Sequence, residues 1–400
     1  MLAAVRTLNR LELIGETVRA ALNALAVAAP GWLAAWMPPA WVDRYGHRVE
    51  NCRLPQQAAE RRAYVDTVGA DGLAVLAAVE APEAPAWLTE VEALQVLRAI
   101  WAQQFDTAAG DLRWRPAEQL PPSTQRIASP YDIECRYAIK RAASWTGYKT
   151  HWSKYCGPDR PHLITNVETT DAACSDQGML ECIHDRFDGQ HLLAAEHLVD
   201  TGYMSAEALL GAAGDHQVKV IGPMPLDTSW QAKAAERFDL SVFTIDWQAH
   251  TATCPAGALA TYWRSQHDSR GHEVIRIRFP DQACTRCVVR TRCTRRLSGP
   301  RDLVVRPQAE HEALQHARRE QATLEWKASF NRRAGVEGTI CQAVRGPDIR
   351  HARYRGLAKT HLQQLLSAAA INLMRIDAWL NGIPLAKTRV AALALLSEAA

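Results

Sequence analysis

The sequence lacks several features that would fix its class at once. Nothing at its N-terminus combines a basic start, an apolar core and a small-residue cleavage site, so no secretory signal is read and the cytoplasm is the expected compartment. Residues 20 to 42 carry no formal charge, but Asn23, Pro30, Gly31, Pro38 and Pro39 interrupt them. A helix end followed by a Pro-rich turn is expected there, and no membrane partner. Ten cysteines without an export signal argue against a disulfide framework. No internal repeat or low-complexity tract is present, and a formal charge of +3 excludes a strongly basic or acidic class. What remains, 400 residues with 48% hydrophobic and 22% charged side chains, suits a globular chain of two or three domains.

The charge is unevenly spread. Arg286, Arg290, Arg292, Arg295, Arg296, Arg301 and Arg306 face only Asp302 within one short stretch. Arg332, Arg333, Arg345, Arg350, Arg353, Arg355 and Lys359 stand against Glu337 and Asp348 in a second. Either stretch could hold a polyanion or form a solvated face.

Apolar spacing divides the chain. Residues 1–125 read as a helical region, with Leu8, Leu11, Val18, Leu22 and Leu25 and then Leu88, Val91, Leu94, Leu97 and Ile100 at helical intervals, closed by Pro121 and Pro122. Residues 126–222 alternate strand and helix as a mixed α/β sheet requires: strands at 147–155, 163–168, 197–200 and 218–222, and helices at 176–187 and 205–213. Residues 223–325 break this alternation and read as an inserted β-rich, Cys-containing lobe. Residues 326–382 return to helix. The final helix is expected to pack back on the core through Leu362, Leu365, Leu366, Ala369, Leu373, Ile376 and Leu380. Residues 383–400 form a tail, whose Ala/Leu-rich part from Ala391 to Ala400 is expected as a frayed helix.

Three groups of residues can carry chemistry. Asp200 ends an apolar run and enters a turn containing Gly202; such a strand end can deliver a metal-binding acid, and an Asp there can equally cap a helix. Arg333 precedes Glu337 by four residues on an expected helix, which is either a surface pair or an acid with a neighbouring phosphate contact. Together they suit phosphodiester chemistry, which uses clustered acids for hard divalent ions and cations for the backbone. Cys254, Cys284, Cys287 and Cys293 read as a structural zinc site or as reduced cysteines in a basic lobe, with His250 or His272 able to replace a thiolate.

The runs LAAVRTLNRLEL from Leu2, SPYD from Ser129, WTGYK from Trp145, HLITNVETT from His162, HLVDTGY from His197, RAGVEGT from Arg333 and GLAKTHLQ from Gly356 occur in order across nearly the whole chain. In this the sequence resembles transposases of the bacterial insertion-sequence family numbered 1182. The resemblance implies an RNase H-like mixed-sheet core and a triad of Asp, Asp and Glu holding Mg²⁺ or Mn²⁺. Asp200 would be the second acid and Glu337 the third, with the inserted lobe inside their 137-residue separation. It further implies DNA as partner, both terminal repeats and target, and a homo-oligomeric transposition complex.

The related signature Tyr-x2-Arg-x3-Glu-x6-Lys reads here as Phe330, Arg333, Glu337 and Val344, with Arg345 one position late, about 100° further round an ideal helix. Arg333, Arg332 and Arg345, together with Arg286, Arg290, Arg292, Arg295 and Arg296, are the expected DNA contacts. Similar transposases carry an Asp-Ser/Thr motif immediately before the LAAVR run, so the first acid and its central strand are expected upstream of Met1. Asp132 is the nearest substitute and reads as a turn residue. An N-terminally truncated, inactive or weakly active transposase is the expectation, with a non-enzymatic DNA-binding regulator as the alternative.

Overall fold

The computed structural model describes residues 1–107, 111–234 and 237–384; the expected tail helix, Ala391 to Ala400, lies outside them. The chain is mixed α/β and forms two compact units, one of Met1–Cys174 together with the segment from Val336 onward, the other Ser175–Gly335.

The first unit opens on strand β1 (Leu2–Val5) and helix α1 (Arg10–Ala28). Asn9 starts that helix: its side chain accepts from the backbone of Leu11 and Glu12 while Glu12 reaches back to the Asn9 N–H, satisfying donors that a helix end otherwise leaves open. Helices α2 (Pro30–Trp36), α3 (Ala40–Tyr45), α4 (Ala58–Glu80) and α5 (Glu92–Gln104) follow, and a short hairpin pairs β2 (Phe105–Asp106) with β3 (Arg113–Trp114). Ile14, Val18, Leu25, Val68, Val75, Leu94, Leu97 and Ile100 bury their side chains in one cluster, which supplies the stabilisation of this helical layer.

The sheet of this unit is built around β5. Strand β4 (Arg136–Lys140) pairs antiparallel with the first half of β5 (Ala143–Lys154), and β6 (Ile164–Asp171) with the second half. Strand β1 pairs with β5 from Thr146 to Tyr148. Both β1 and β6 pair with Tyr148, so they occupy opposite edges of β5. Gly147 permits the β1 contact, because a Cβ there would stand 2.2 Å from the Leu2 carbonyl oxygen. Beyond Tyr148, no strand among the described residues pairs with β5 on the β1 edge.

Asp132 stitches this layer together. Its buried carboxylate accepts from the Tyr148 hydroxyl at 2.8 Å and from the backbone N–H groups of Glu134, Cys135 and Gly356. It is a structural residue, as the turn reading expected; a carboxylate so fully engaged is not displayed to a metal ion.

The second unit contains α6 (Met179–Gly189), strand β7 (Glu196–Leu198), α7 (Ala206–Asp215) and β8 (Lys219–Ile221), with β7 and β8 paired in parallel. A β-rich section follows. Here β9 (Thr244–Asp246) pairs with β10 (Thr251–Thr253), and β11 (Tyr262–His267), β12 (Glu273–Arg278) and β13 (Asp302–Val305) form an antiparallel sheet around Ile277, Phe279, Leu303 and Val305. Between β12 and β13 lie two short helices, α8 (Asp281–Thr285) and α9 (Arg290–Cys293). Helix α10 (Gln308–Glu320) covers α7, and α11 (Leu324–Asn331) ends the unit.

Helices α12 (Gly335–Arg345) and α13 (Leu357–Leu380) close the chain. Helix α13 lies on β6, but not by the face its leucines define. Leu362, Leu366, Leu373 and Leu380 are exposed at 53%, 62%, 68% and 78%, while Thr360, Gln363, Gln364, Ser367, Ala368 and Ile371 are buried. The expected packing by the apolar stripe is therefore corrected. The Thr360 hydroxyl and the Gln364 amide are buried with no hydrogen-bond partner among the described residues, whereas Gln363 bonds the Arg353 N–H and His351 carbonyl, and Asn372 bonds both backbone groups of Ile164. Those bonds offset the cost of burying amides.

Candidate active site

In the second unit the strand end behaves as its sequence suggests. The Val199 N–H bonds the Ile221 carbonyl at 2.9 Å, which prolongs the β7–β8 pairing by a residue and delivers Asp200 immediately beyond it. Asp200 caps the following 3-10 turn, Thr201–Tyr203, by accepting the Thr201 N–H at 3.1 Å. Its other carboxylate oxygen lies 3.6 Å from the Arg333 guanidinium, and its side chain is 57% exposed. An ion pair so open to water is weak, so a hard cation can compete for this carboxylate.

Tyr203 reports a second acid nearby. Burial pushes its hydroxyl well above the ordinary tyrosine range, and the charges of Asp176 and Asp200 add to that, opposed by Arg333. Sequence reasoning missed Asp176, because it stood where a helix was expected to begin; helix α6 starts three residues later, at Met179. A further group adjoins the strand that delivers Asp200: His197 of β7 shares a hydrogen bond of 3.0 Å with His184 of α6, whose ring lies 5.4 Å from that of His216.

The stretch carrying Arg333 is not one helix. It breaks after α11 into a 3-10 turn, Arg332–Ala334, and restarts as α12, so Arg333 and Glu337 do not share one continuous helix face as expected. Gly335 and Gly338, weak helix formers, accompany the break. Arg332 bonds Glu196. Arg333 lies 6.0 Å from the Phe330 ring, which stacks on Trp326 at 4.9 Å.

In the first unit Glu337 occupies the exposed first turn of α12, where the helix dipole favours an acid. Arg375 of α13 holds that helix by bonding the Thr339 hydroxyl at 2.9 Å and the Gln342 side chain at 3.0 Å. Arg345 is exposed at the far end of α12, and the side chain of Val344 packs toward the cluster around Ala343 and Ile371. Among the described residues no three His, Cys, Asp or Glu side chains are gathered to hold a metal ion.

The arginine-rich segment divides by burial. Arg286, Arg292, Arg295 and Arg296 are exposed, with Arg292 over the Phe238 ring at 4.6 Å and Arg295 over the Trp230 ring at 4.7 Å. Arg290 departs from the expected DNA contacts: only 9% exposed, it donates to the carbonyls of Cys284, Arg296 and Gly299 and clasps its own loop. The cysteines 254, 284, 287 and 293 line one pocket. His250 instead stacks on Trp263 and His272 bonds Asp268, so neither histidine joins them.

No helix among the described residues is long and apolar enough to cross a membrane. No curated protein and no solved structure matches the chain. Residues 253–377, under a third of the 400, match the family model described as a transposase DDE domain, a segment that contains the four cysteines, Arg333 and Glu337. That match supports a transposase-type function for this chain, with DNA as the partner class that such a function implies.

Proposed function

We propose that the chain is a DDE-type transposase of the insertion-sequence family numbered 1182, with Asp200 and Glu337 as two of its metal-binding acids. The observation that carries this reading is the family match over Glu337, joined to the delivery of an exposed Asp200 by a strand end beside Arg333. Bound Mg²⁺ or Mn²⁺ would supply activation of the attacking oxygen and stabilisation of the departing one. The residues of the chain do the rest. Asp200 and Glu337 offer hard oxygen ligands, Arg333 exchanges its contact with Asp200 for a phosphate oxygen, and the exposed arginines of the 286–296 segment hold DNA backbone without reading sequence.

An RNase H-like core belongs to this reading and calls for one more central strand, on which the first acid would stand. Support comes from the β5 edge, which beyond Tyr148 takes no strand among the described residues. The regulator reading draws on the same exposed arginines of the 286–296 segment. In that reading the arginines bind element ends without cleavage, a homo-oligomer again being the working form.

Labelled terminal-repeat duplex incubated with the full chain and Mg²⁺ or Mn²⁺ separates the two. Weak metal-dependent nicking that is lost in Asp200→Asn and in Glu337→Gln, with DNA binding retained, is the expected result. Nicking that survives both changes overturns the assignment, and salt-sensitive binding without nicking by the unaltered chain establishes the regulator.

A further inference from the structure

Cys254, Cys284, Cys287 and Cys293 come from four places in the second unit: the turn after β10, helix α8, the α8–α9 connection and the end of α9. They line a pocket of about 300 Å³ whose other walls include Ala256, Ala258, Phe279, Ala283 and Val288.

Two of the four sulfurs already accept backbone hydrogen bonds. The turn Cys254-Pro255-Ala256-Gly257 folds back so that the Gly257 N–H bonds the Cys254 carbonyl at 2.9 Å and the Ala258 N–H reaches the Cys254 sulfur at 3.3 Å. Gly257 has φ +82°, a conformation that an L side chain resists. Across the pocket, the Arg301 N–H points at the Cys284 sulfur at 3.4 Å. A thiol is a weak acceptor and a thiolate a strong one, so turns that aim N–H groups at sulfur suit the ionised form.

Charge points the same way. Arg290 is buried and its hydrogen bonds go to three carbonyls; among the described residues it forms no ion pair. Arg301 also lines the pocket. A buried guanidinium without a counter-charge is costly, and four thiolates around one divalent ion carry a net charge of about −2 that would offset it.

We propose that these four cysteines bind one structural Zn²⁺ that ties the turn after β10 to the α8–α9 loop, independently of the transposase reading. The described side chains do not yet gather three ligands at metal-binding distance, so loading requires the sulfurs to turn into the pocket they line. On binding, each thiol gives its proton to solvent and Zn²⁺ takes four sulfurs at about 2.3 Å.

The test is made on the full chain, purified reduced and desalted after exposure to zinc. Elemental analysis should find one zinc per chain, released when a mercurial caps the thiols. Cys254, Cys284, Cys287 and Cys293 should resist alkylation until then, while the exposed Cys52, Cys182 and Cys341 react at once. Cobalt exchanged for zinc should show the charge-transfer bands of a tetrahedral tetrathiolate. Cys287→Ser should lose the metal. Because that variant can misfold, Cys293→His is the companion: it keeps four ligands, and should retain cobalt with weaker sulfur bands. A chain that holds no zinc while the four thiols alkylate as fast as the exposed three, or that pairs any two of them in a disulfide, overturns the proposal. Neither readout involves DNA, so failure here leaves the nicking experiment intact.

Discussion

His184 and His197 share one hydrogen bond, and only one of the two facing nitrogens can carry its proton. Burial lowers His184 to about 4, helped by His216, and burial likewise lowers His197 to about 4, helped by His184. Both therefore stay neutral in the folded chain where an unfolded histidine, titrating at about 6.5, takes up a proton. The unfolded state binds more protons between those values, so the stability this pair contributes is present in full above about pH 6.5 and is lost as pH falls toward 4. Thermal melts across that range should show the midpoint dropping with acid, and His184→Gln should flatten the drop. Parallel curves for the two proteins would remove the pair from the explanation. The strand end that delivers Asp200 could be foreseen from an apolar run entering a glycine turn; Asp176 could not, because its part is set by Tyr203 folding against it.

Among the elements, α13 departs furthest from its sequence pattern. Its leucines recur at helical spacing, which ordinarily marks the face toward a core, yet the face on β6 is built from Thr360, Gln363, Gln364, Ser367, Ala368 and Ile371. Periodicity locates an apolar stripe but does not say which surface receives it. Exchange of Leu366 for Ser should accordingly change stability by less than about 0.5 kcal/mol, as an exposed site does. Ile371→Ala, which empties space beside Ile164, Val167 and Ala343, should cost about 2–4 kcal/mol. Urea unfolding of both variants decides the matter; the opposite ranking would mean that the leucine face is the buried one. The break between α11 and α12 was equally hard to foresee, since the Arg333–Glu337 spacing fits an unbroken helix and only the 3-10 turn at 332–334 separates them.

On the scale of the whole molecule, the first unit is discontinuous in sequence. Its end returns to its beginning through two backbone bonds, the Ala3 N–H to the Arg350 carbonyl and the Ala352 N–H to the Ala3 carbonyl, each 2.8 Å, and through the Gly356 N–H, which donates to the Asp132 carboxylate. The second unit carries the arginine-rich segment, whose exposed members would meet DNA in the proposed function. Combined replacement of Arg292, Arg295 and Arg296 by Ala should reduce the slope of binding affinity against salt by about one for each phosphate that these arginines neutralise. Titrations at several salt concentrations measure it. An unchanged slope would show that DNA runs elsewhere, whereas Arg290→Ala should act on the fold of the lobe, because its donors hold three carbonyls of the 284–299 loop.

The sequence alone determined the local periods and their interruptions. Strand and helix alternation after residue 126, the acid at the end of β7 and the grouping of four cysteines all follow from side-chain spacing and turn chemistry, which act over a few residues. Tertiary structure decided which face of α13 is covered, that Arg290 turns inward, that Asp132 binds Tyr148 and Gly356, and that one unit is made from both ends of the described chain. Those outcomes depend on hydrogen bonds and burial between segments as far apart as Ile164 and Asn372, and no local pattern encodes which distant group will satisfy a buried polar atom.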